Sequence, residues 1–425
     1  MRTSVLIGYK TASDLVGKIC FFLIVVCAAR VLPTREFGLF ALATTLGWLL
    51  SVASDFGLQL HLARSVARRP GAVGSILARW LRPRLVLAAA ALALAVPATF
   101  VIAPGREAWP FFLIVCAQVA SSLVEFLNHA YRGLSRSDIE ASLNLAQRLA
   151  TLAAVGLLAL APTLGALAIA LAVPAAGVLA VSAALAFRLS RRADGGARPD
   201  PAPPSGRFAT DVWPIGAGIV LSALYFRLDL FFVEYWHGVE AAALYNAVFR
   251  LVEAMRLVPA AVLAVVFPLL CRAGDLRILG RLAGGLAAAG AVAAVVLAWP
   301  AGWFVTFFYG PSYAAATPAF RVLLVAVPLF FLNYALTHQL IGWDRQKVYA
   351  AVSAAALAAN LALDFALVPR FGLEGAAWAT VATEVVVTAG AAAALAWRGR
   401  RRREPTGLKL AALVDGPRMT RGSTT

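Results

Sequence analysis

Apolar residues run along this chain in long, unalternating stretches, each closed by a short group of charged, glycine or proline residues. A stretch of about twenty such residues spans bilayer hydrocarbon as a helix, whereas a barrel strand would be roughly half as long and would alternate. Counted this way, the pattern predicts helices near 13–32, 37–60, 84–103, 109–130, 143–161, 164–187, 213–235, 242–269, 282–305, 318–340, 348–368 and 374–397. The expected fold is an all-α polytopic membrane protein of about twelve transmembrane helices. The first run begins late and is longer than a signal-peptide core, so it is expected to stay in the membrane.

One long polar stretch, RLSRRADGGARPDPAPPSGRFATD from Arg188 to Asp211, divides six runs from six. Its Pro and Gly content reads as a linker. The chain therefore divides into an N-terminal six-helix lobe at 1–187, a cytoplasmic Pro/Gly/Arg-rich linker at 188–212, a C-terminal six-helix lobe at 213–397 and a basic tail at 398–425, expected to be disordered. An internal repeat supports two lobes. G-L-S-R-S-D at Gly133 to Asp138 precedes Gly165-Ala166 by 32 residues, and G-W-D-R-Q-K at Gly342 to Lys347 precedes Gly375-Ala376 by 33. Just before each lies F-L-N-x-A, at Phe126 to Ala130 and Phe331 to Ala335. With six helices per half, the copies share one orientation and form parallel repeats about an axis along the membrane normal. Repeated halves facing a cleft suit alternating access, by analogy of fold.

Composition sharpens this picture: 61% of residues are hydrophobic, 14% are charged, and 38 Lys and Arg against 21 Asp and Glu leave a net charge of +17. In a soluble protein that excess would suggest nucleic acid. Here the charges sit between apolar runs, so they orient the chain and attract anionic headgroups, and no nucleic acid is expected. One set of alternate loops holds Arg64, Arg68, Arg69, Arg79, Arg82 and Arg84, then Arg132 and Arg136, then Arg188, Arg191, Arg192, Arg198 and Arg207. The set continues with Arg272 and Arg277, Arg345 and Lys347, and the tail from Arg398 to Arg403. The opposite set has only Arg35, Arg106 and Arg370. That asymmetry predicts a multi-pass membrane protein with both termini cytoplasmic. Cys20, Cys27, Cys116 and Cys271 form no C-x-x-C pair and read as small packing residues, with no metal site.

Several ordered motifs then carry a resemblance. They are R-V-L-P-T-R-E-F-G-L-F-A-L at Arg30 to Leu42, S-D-F-G-L at Ser54 to Leu58, L-Y-N-A-V-F-R-L-V-E at Leu244 to Glu253, F-Y-G-P-S-Y ending at Tyr313, and N-L-A-L-D-F-A-L-V-P-R-F-G-L-E-G-A-A at Asn360 to Ala377. Over about residues 10–397 the chain resembles the polysaccharide-transport branch of the multidrug/oligosaccharidyl-lipid/polysaccharide exporter superfamily. The resemblance implies a MATE-like, V-shaped pair of lobes. It further implies a flippase that carries a polyprenyl-pyrophosphate-linked oligosaccharide, a precursor of O-antigen, capsule or exopolysaccharide, by alternating access. Implied partners are that substrate, membrane lipids, a polysaccharide polymerase and glycosyltransferases. The chain departs from some relatives in having twelve rather than fourteen spans and an arginine-rich tail.

Ionisable groups inside spans are costly and usually face a cavity or a partner. Lys10, Asp14 and Lys18 recur every four residues on one face of the first helix, as a cationic entrance for a phosphate-bearing headgroup or as a snorkelling cluster. Arg227 and Glu234 share a face seven residues apart, with Asp229 nearly opposite, and suit pairing between lobes as well as transport. Arg250, Glu253 and Arg256 cluster near mid-span with Pro259 beyond. The sharpest expectation is that Arg250 and Arg256, with Lys18 of the other lobe, bind pyrophosphate while Glu253 holds both arginines in the empty cavity. The competing reading is a permanent Arg–Glu lock. Asp55, Glu125, Asp364 and Glu384, with His129 and His338, are proton-relay candidates or satisfied polar contacts. Pro97, Pro174, Pro259 and Pro328 are hinges or ordinary span prolines.

Rival functions are a multidrug exporter of the same superfamily, which would want an acidic site for organic cations, and a membrane-embedded glycan-modifying enzyme, which would want a large outer loop or a catalytic cluster. The outer loops are short, so no enzyme activity is expected. No G-x-x-x-x-G-K-[ST] occurs, so ATP is not the direct driver; no cofactor is expected, and an ion gradient or membrane potential would drive transport.

Overall fold

The computed structural model describes residues 3–194, 208–273 and 276–403 of the chain. Among them are fourteen α-helices and no strand. The first lobe contains α1 (Thr3–Val31), α2 (Thr34–Asp55), α3 (Leu58–Arg68), α4 (Val73–Ile102), α5 (Ala108–Gly133), α6 (Ser137–Gly156) and α7 (Leu164–Asp194). The second contains α8 (Phe208–Arg227), α9 (Asp229–Met255), α10 (Leu257–Ala273), α11 (Leu276–Ala298), α12 (Ala301–Tyr309), α13 (Thr317–Gly342) and α14 (Gln346–Arg403).

Eight helices are long and apolar enough to cross a membrane unaided: α1, α2, α4, α5, α7, α11, α13 and α14. At 1.5 Å per residue α14 would extend about 87 Å, nearly three times the hydrocarbon thickness. It folds back instead at Gly372, whose φ of 55° and ψ of −128° leave the helical region, and so crosses twice. α6 adds a pass although it carries Asn144, Gln147 and Arg148. Two more are made in pieces by α8, α9 and α10, which turn at Gly238 with φ 83°. α9 ends at Met255 because Pro259 has no N–H to offer the Met255 carbonyl. The passes total twelve.

Within the first lobe α1 packs on α6, α2 on α5, and α5 on α7; within the second, α13 lies between α11 and α14 while α8 packs on α14. The sequence repeat is a repeat of backbone. After α5, Ser135 takes φ 58° and the Arg136 N–H returns to the Tyr131 carbonyl at 2.8 Å; after α13, Asp344 takes φ 55° and the Arg345 N–H returns to Leu340 at 2.8 Å. Both are helix C-terminal turns of the Schellman type, closing on a left-handed residue.

Several boundaries differ from the expectation. α4 begins at Val73, so Arg79, Arg82 and Arg84 are helical, and Arg84 is fully buried rather than part of a basic loop. It donates to Ser54 Oγ at 2.9 Å and Ser122 Oγ at 2.7 Å and lies 3.8 Å from Asp55. Both ends of the expected linker are helical, since α7 reaches Asp194 and α8 starts at Phe208; residues 195–207 lie outside the described residues. α14 continues to Arg403, and residues 404–425 of the tail also lie outside, as do the side chains of Cys271 and Arg272.

Candidate functional site

The two lobes close on each other at the arginine-poor end, and the resemblance motifs make that seam. Phe37, fully buried, meets Tyr313 edge to face with ring centroids 5.8 Å apart. A Cβ on Gly38 would sit 2.3 Å from the Val239 carbonyl oxygen, so only glycine lets α2 lie this close to α9. Arg30 reaches across from α1 to the end of α12, donating through Nε to the Phe308 carbonyl at 2.8 Å and through Nη2 to the Phe307 carbonyl. Those carbonyls belong to the last turn of a helix, where the backbone has no partner of its own and favours a cation.

Toward the arginine-rich end the lobes part around a cavity of about 1050 Å³. Asp14, Lys18 and Phe21 of α1, Trp48 and Asp55 of α2, Gln118 and Glu125 of α5, and Asn144, Gln147 and Arg148 of α6 line the first-lobe side. Tyr225, Phe226, Arg250, Glu253, Arg256, Leu257 and Tyr334 line the other. Arg250 Nη1 pairs with Glu253 at 2.6 Å. Arg256 sits at the break between α9 and α10, 4.2 Å over the Phe226 ring and 5.2 Å from Phe330. Arg148 and Arg250, one from each lobe, lie over the same ring, Phe21, at 5.4 Å and 5.2 Å. Among the described residues Lys18, Arg148 and Arg256 have no carboxylate within ion-pairing distance. A cation–π contact offsets about 0.5–2 kcal/mol of desolvation and leaves the charge available to an anion.

The candidates separate by position. Lys18, Arg250, Glu253 and Arg256 share the cavity wall, with Asp14. Glu253 pairs with Arg250 only, the Arg256 guanidinium lying over the Phe226 and Phe330 rings instead. Lys10 is drawn off to Glu140 at 2.6 Å, in a network where Arg132 also binds Glu140 and reaches Glu125 at 2.8 Å. Arg227, Asp229 and Glu234 do not line the cavity. Leu228, between α8 and α9, keeps helical φ and ψ, and Arg227 is buried while Glu234 is half-buried. Arg227 is instead a buried tie between lobes, donating to Thr45 Oγ1 at 2.9 Å and Asn246 Oδ1 at 2.7 Å. Among the other candidates, His129 and Arg132 are bonded at 3.0 Å, His338 Nδ1 meets the Tyr334 carbonyl at 2.7 Å, and Asn333 donates to Glu384 at 2.7 Å.

A second polar cluster lies inside the second lobe. Asp229 accepts from the Tyr245 hydroxyl, and Thr380 is 3.2 Å from the same hydroxyl. Asp364 and Asn360, one turn apart on α14, are buried with no hydrogen-bond partner on any side-chain N or O among the described residues. Such groups are expensive in a span unless a proton, ion or water meets them.

Arg148 escaped the sequence reading although the same criterion, an arginine inside an expected span, marks it as clearly as Arg250. Trp48, Gln118 and Gln147 carried no such signal, since an aromatic or amide in a span serves packing as readily as a cavity wall.

No curated protein matches the chain in sequence. Solved structures match its fold along nearly its whole length. An inward-facing multidrug resistance MATE family transporter of the MOP superfamily gives a TM-score of 0.69 at 13% identity, over 91% of this chain and 94% of that one. A MOP superfamily transporter from Pyrococcus furiosus gives 0.63 at 14%, over 94% of each chain. The lipid II flippase MurJ, inward closed, gives 0.54 at 12%, over 91% of this chain and 87% of that one. At these identities the likeness is one of fold: a MATE-like transporter architecture. The sequence itself matches the profile of the polysaccharide biosynthesis proteins over residues 7–273, well beyond half its length, and the chain belongs to that family.

Proposed function

We propose that the protein flips a polyprenyl-pyrophosphate-linked oligosaccharide, a precursor of a bacterial surface polysaccharide, from the cytoplasmic to the outer leaflet of the inner membrane by alternating access. The observation that carries this reading is the set of cations Lys18, Arg148, Arg250 and Arg256, drawn from both lobes into one cavity, three of them without a carboxylate partner among the described residues. The negative charge of such a substrate lies at the junction of lipid and sugar. Arginine stays charged when desolvated and offers a planar fork to phosphate oxygens. The cavity, about 1050 Å³, is at the upper end of small-molecule sites and suits a pyrophosphate with its first sugars, the lipid tail remaining in the bilayer. An exporter of organic cations would gain little from these arginines.

With the arginine-rich end cytoplasmic, the cavity faces the cytoplasm and the Arg30 seam closes the outer side. Pyrophosphate bridging Arg148 and Arg250 would draw the lobes together beneath it. An ion gradient would then reset the cycle, with Asp364 and the neighbouring Asp229 as the coupling pair, since Asp364 is a buried carboxylate without a hydrogen-bond partner among the described residues and so invites a proton or small cation. Glycosyltransferases would supply the substrate and a polymerase would receive it. In a strain deleted for the gene, Arg250→Ala and Arg256→Ala at wild-type membrane levels should abolish surface polysaccharide, with Arg250→Lys intermediate. Full restoration by either alanine variant would sink the assignment.

A further inference from the structure

The cavity wall is chemically divided, and the division bears on which glycan it takes. Asn144, Gln147 and Arg148 lie on one face of α6 at i, i+3 and i+4, so two amides adjoin the arginine that faces Phe21. Asn144 Oδ1 accepts from Asn128 at 2.9 Å, leaving its N–H groups uncommitted, and Gln147 donates to Ser121 at 2.7 Å, leaving its carbonyl oxygen. Gln118 has no hydrogen-bond partner among the described residues. It packs against α2 at Gly47, where an added Cβ would lie 2.7 Å from its own Cβ, and so stands one residue along from Trp48. Trp48 is 39% exposed, and among the described residues no other ring or cation stacks on it.

An open indole face beside amide donors and acceptors matches a pyranose ring. The ring's C–H face covers the aromatic surface while its hydroxyls, each donor and acceptor, engage the amides. We infer that the first-lobe wall between Trp48 and Gln147 seats the sugar attached to the pyrophosphate, and that this sugar is neutral or N-acetylated rather than a uronic acid. The inference rests on the pyrophosphate reading above, which puts the diphosphate at Arg148 and the first sugar within a residue of it. The charge preference comes from Asp14, which has no ion-pair partner among the described residues and, once the diphosphate has neutralised the nearby cations, would repel a sugar carboxylate in a cavity of reduced dielectric; Asp55 and Glu125 on the same wall are already held by Arg84 and Arg132.

The test uses the purified full-length protein in nanodiscs and three probes: farnesyl pyrophosphate, farnesyl pyrophosphate linked to N-acetylglucosamine, and the same lipid linked to glucuronic acid. The wild type should bind the N-acetylglucosamine probe about tenfold more tightly than bare farnesyl pyrophosphate, an increment within reach of one stacked ring and a few hydrogen bonds. The glucuronic acid probe should show no such gain. Trp48→Ala and Gln118→Leu should erase the increment while binding bare farnesyl pyrophosphate as the wild type does, and Trp48→Phe should retain most of it. A full increment in both Trp48→Ala and Gln118→Leu overturns the sugar seat, and an equal gain from glucuronic acid overturns the charge preference. Failure of Arg250→Ala to weaken bare farnesyl pyrophosphate overturns the pyrophosphate reading instead, an arm that Trp48 does not touch.

Discussion

Replacing Arg30 by methionine tests whether the seam at the arginine-poor end is a latch. The side chain keeps its length and loses two charge-assisted hydrogen bonds, Nε to the Phe308 carbonyl at 2.8 Å and Nη2 to Phe307. Such bonds contribute about 1.5–3 kcal/mol each when shielded. Arg30 is exposed, so water competes and the pair together is better set at about 1–2 kcal/mol. That corresponds to a roughly 5- to 30-fold change in the ratio of outward-open to closed molecules. Spin labels at Arg106 and Ser312, both exposed at this end on opposite lobes, would report the ratio as two distance populations in a background with Cys20, Cys27, Cys116 and Cys271 replaced by alanine. Under conditions where the parent shows both populations, Arg30→Met should enrich the longer distance by that factor, with Arg30→Lys between. Superimposable distributions for Arg30→Met and the parent would refute the latch.

Arg148→Ala should reduce surface polysaccharide as severely as Arg250→Ala at equal membrane abundance; wild-type glycan would remove Arg148 from the site. Arg84→Met should lower the thermal midpoint in detergent, since Asp55 loses its buried cation and Ser54 and Ser122 lose a donor, a cost of roughly 3 kcal/mol; an unchanged midpoint would show that this burial is neutral. Asp364→Asn should make flipping in vesicles insensitive to an imposed ion gradient while farnesyl pyrophosphate binding stays at wild-type strength, and a normal gradient response would dismiss the coupling pair. Reporter fusions at the matched turns Ser135 and Asp344 should read as cytoplasmic and those at Gly105 and Gly310 as external, and one common readout would break the topology.

The sequence by itself determined the number of passes and the two-fold repeat, because both depend on quantities a linear chain carries. Bilayer thickness sets the length of an apolar run, and a turn such as Gly133 to Asp138 is encoded within six residues, so its copy at Gly342 to Lys347 folds alike. Arg250, Glu253 and Arg256 were legible as a group because charge inside a span is rare enough to stand out. Their division of labour was not. The rings of Phe226 and Phe330 drew Arg256 away from Glu253, and α1 and α6 supplied Lys18 and Arg148 from far along the chain. Tertiary packing also decided which charges lie away from the cavity. Lys10 went to Glu140, Arg227 to Thr45 and Asn246, and Arg84 inside a helix bundle, none of which periodicity distinguishes from a cavity wall. Helical spacing fixes the face on which a side chain stands; what that face meets depends on helices tens or hundreds of residues away.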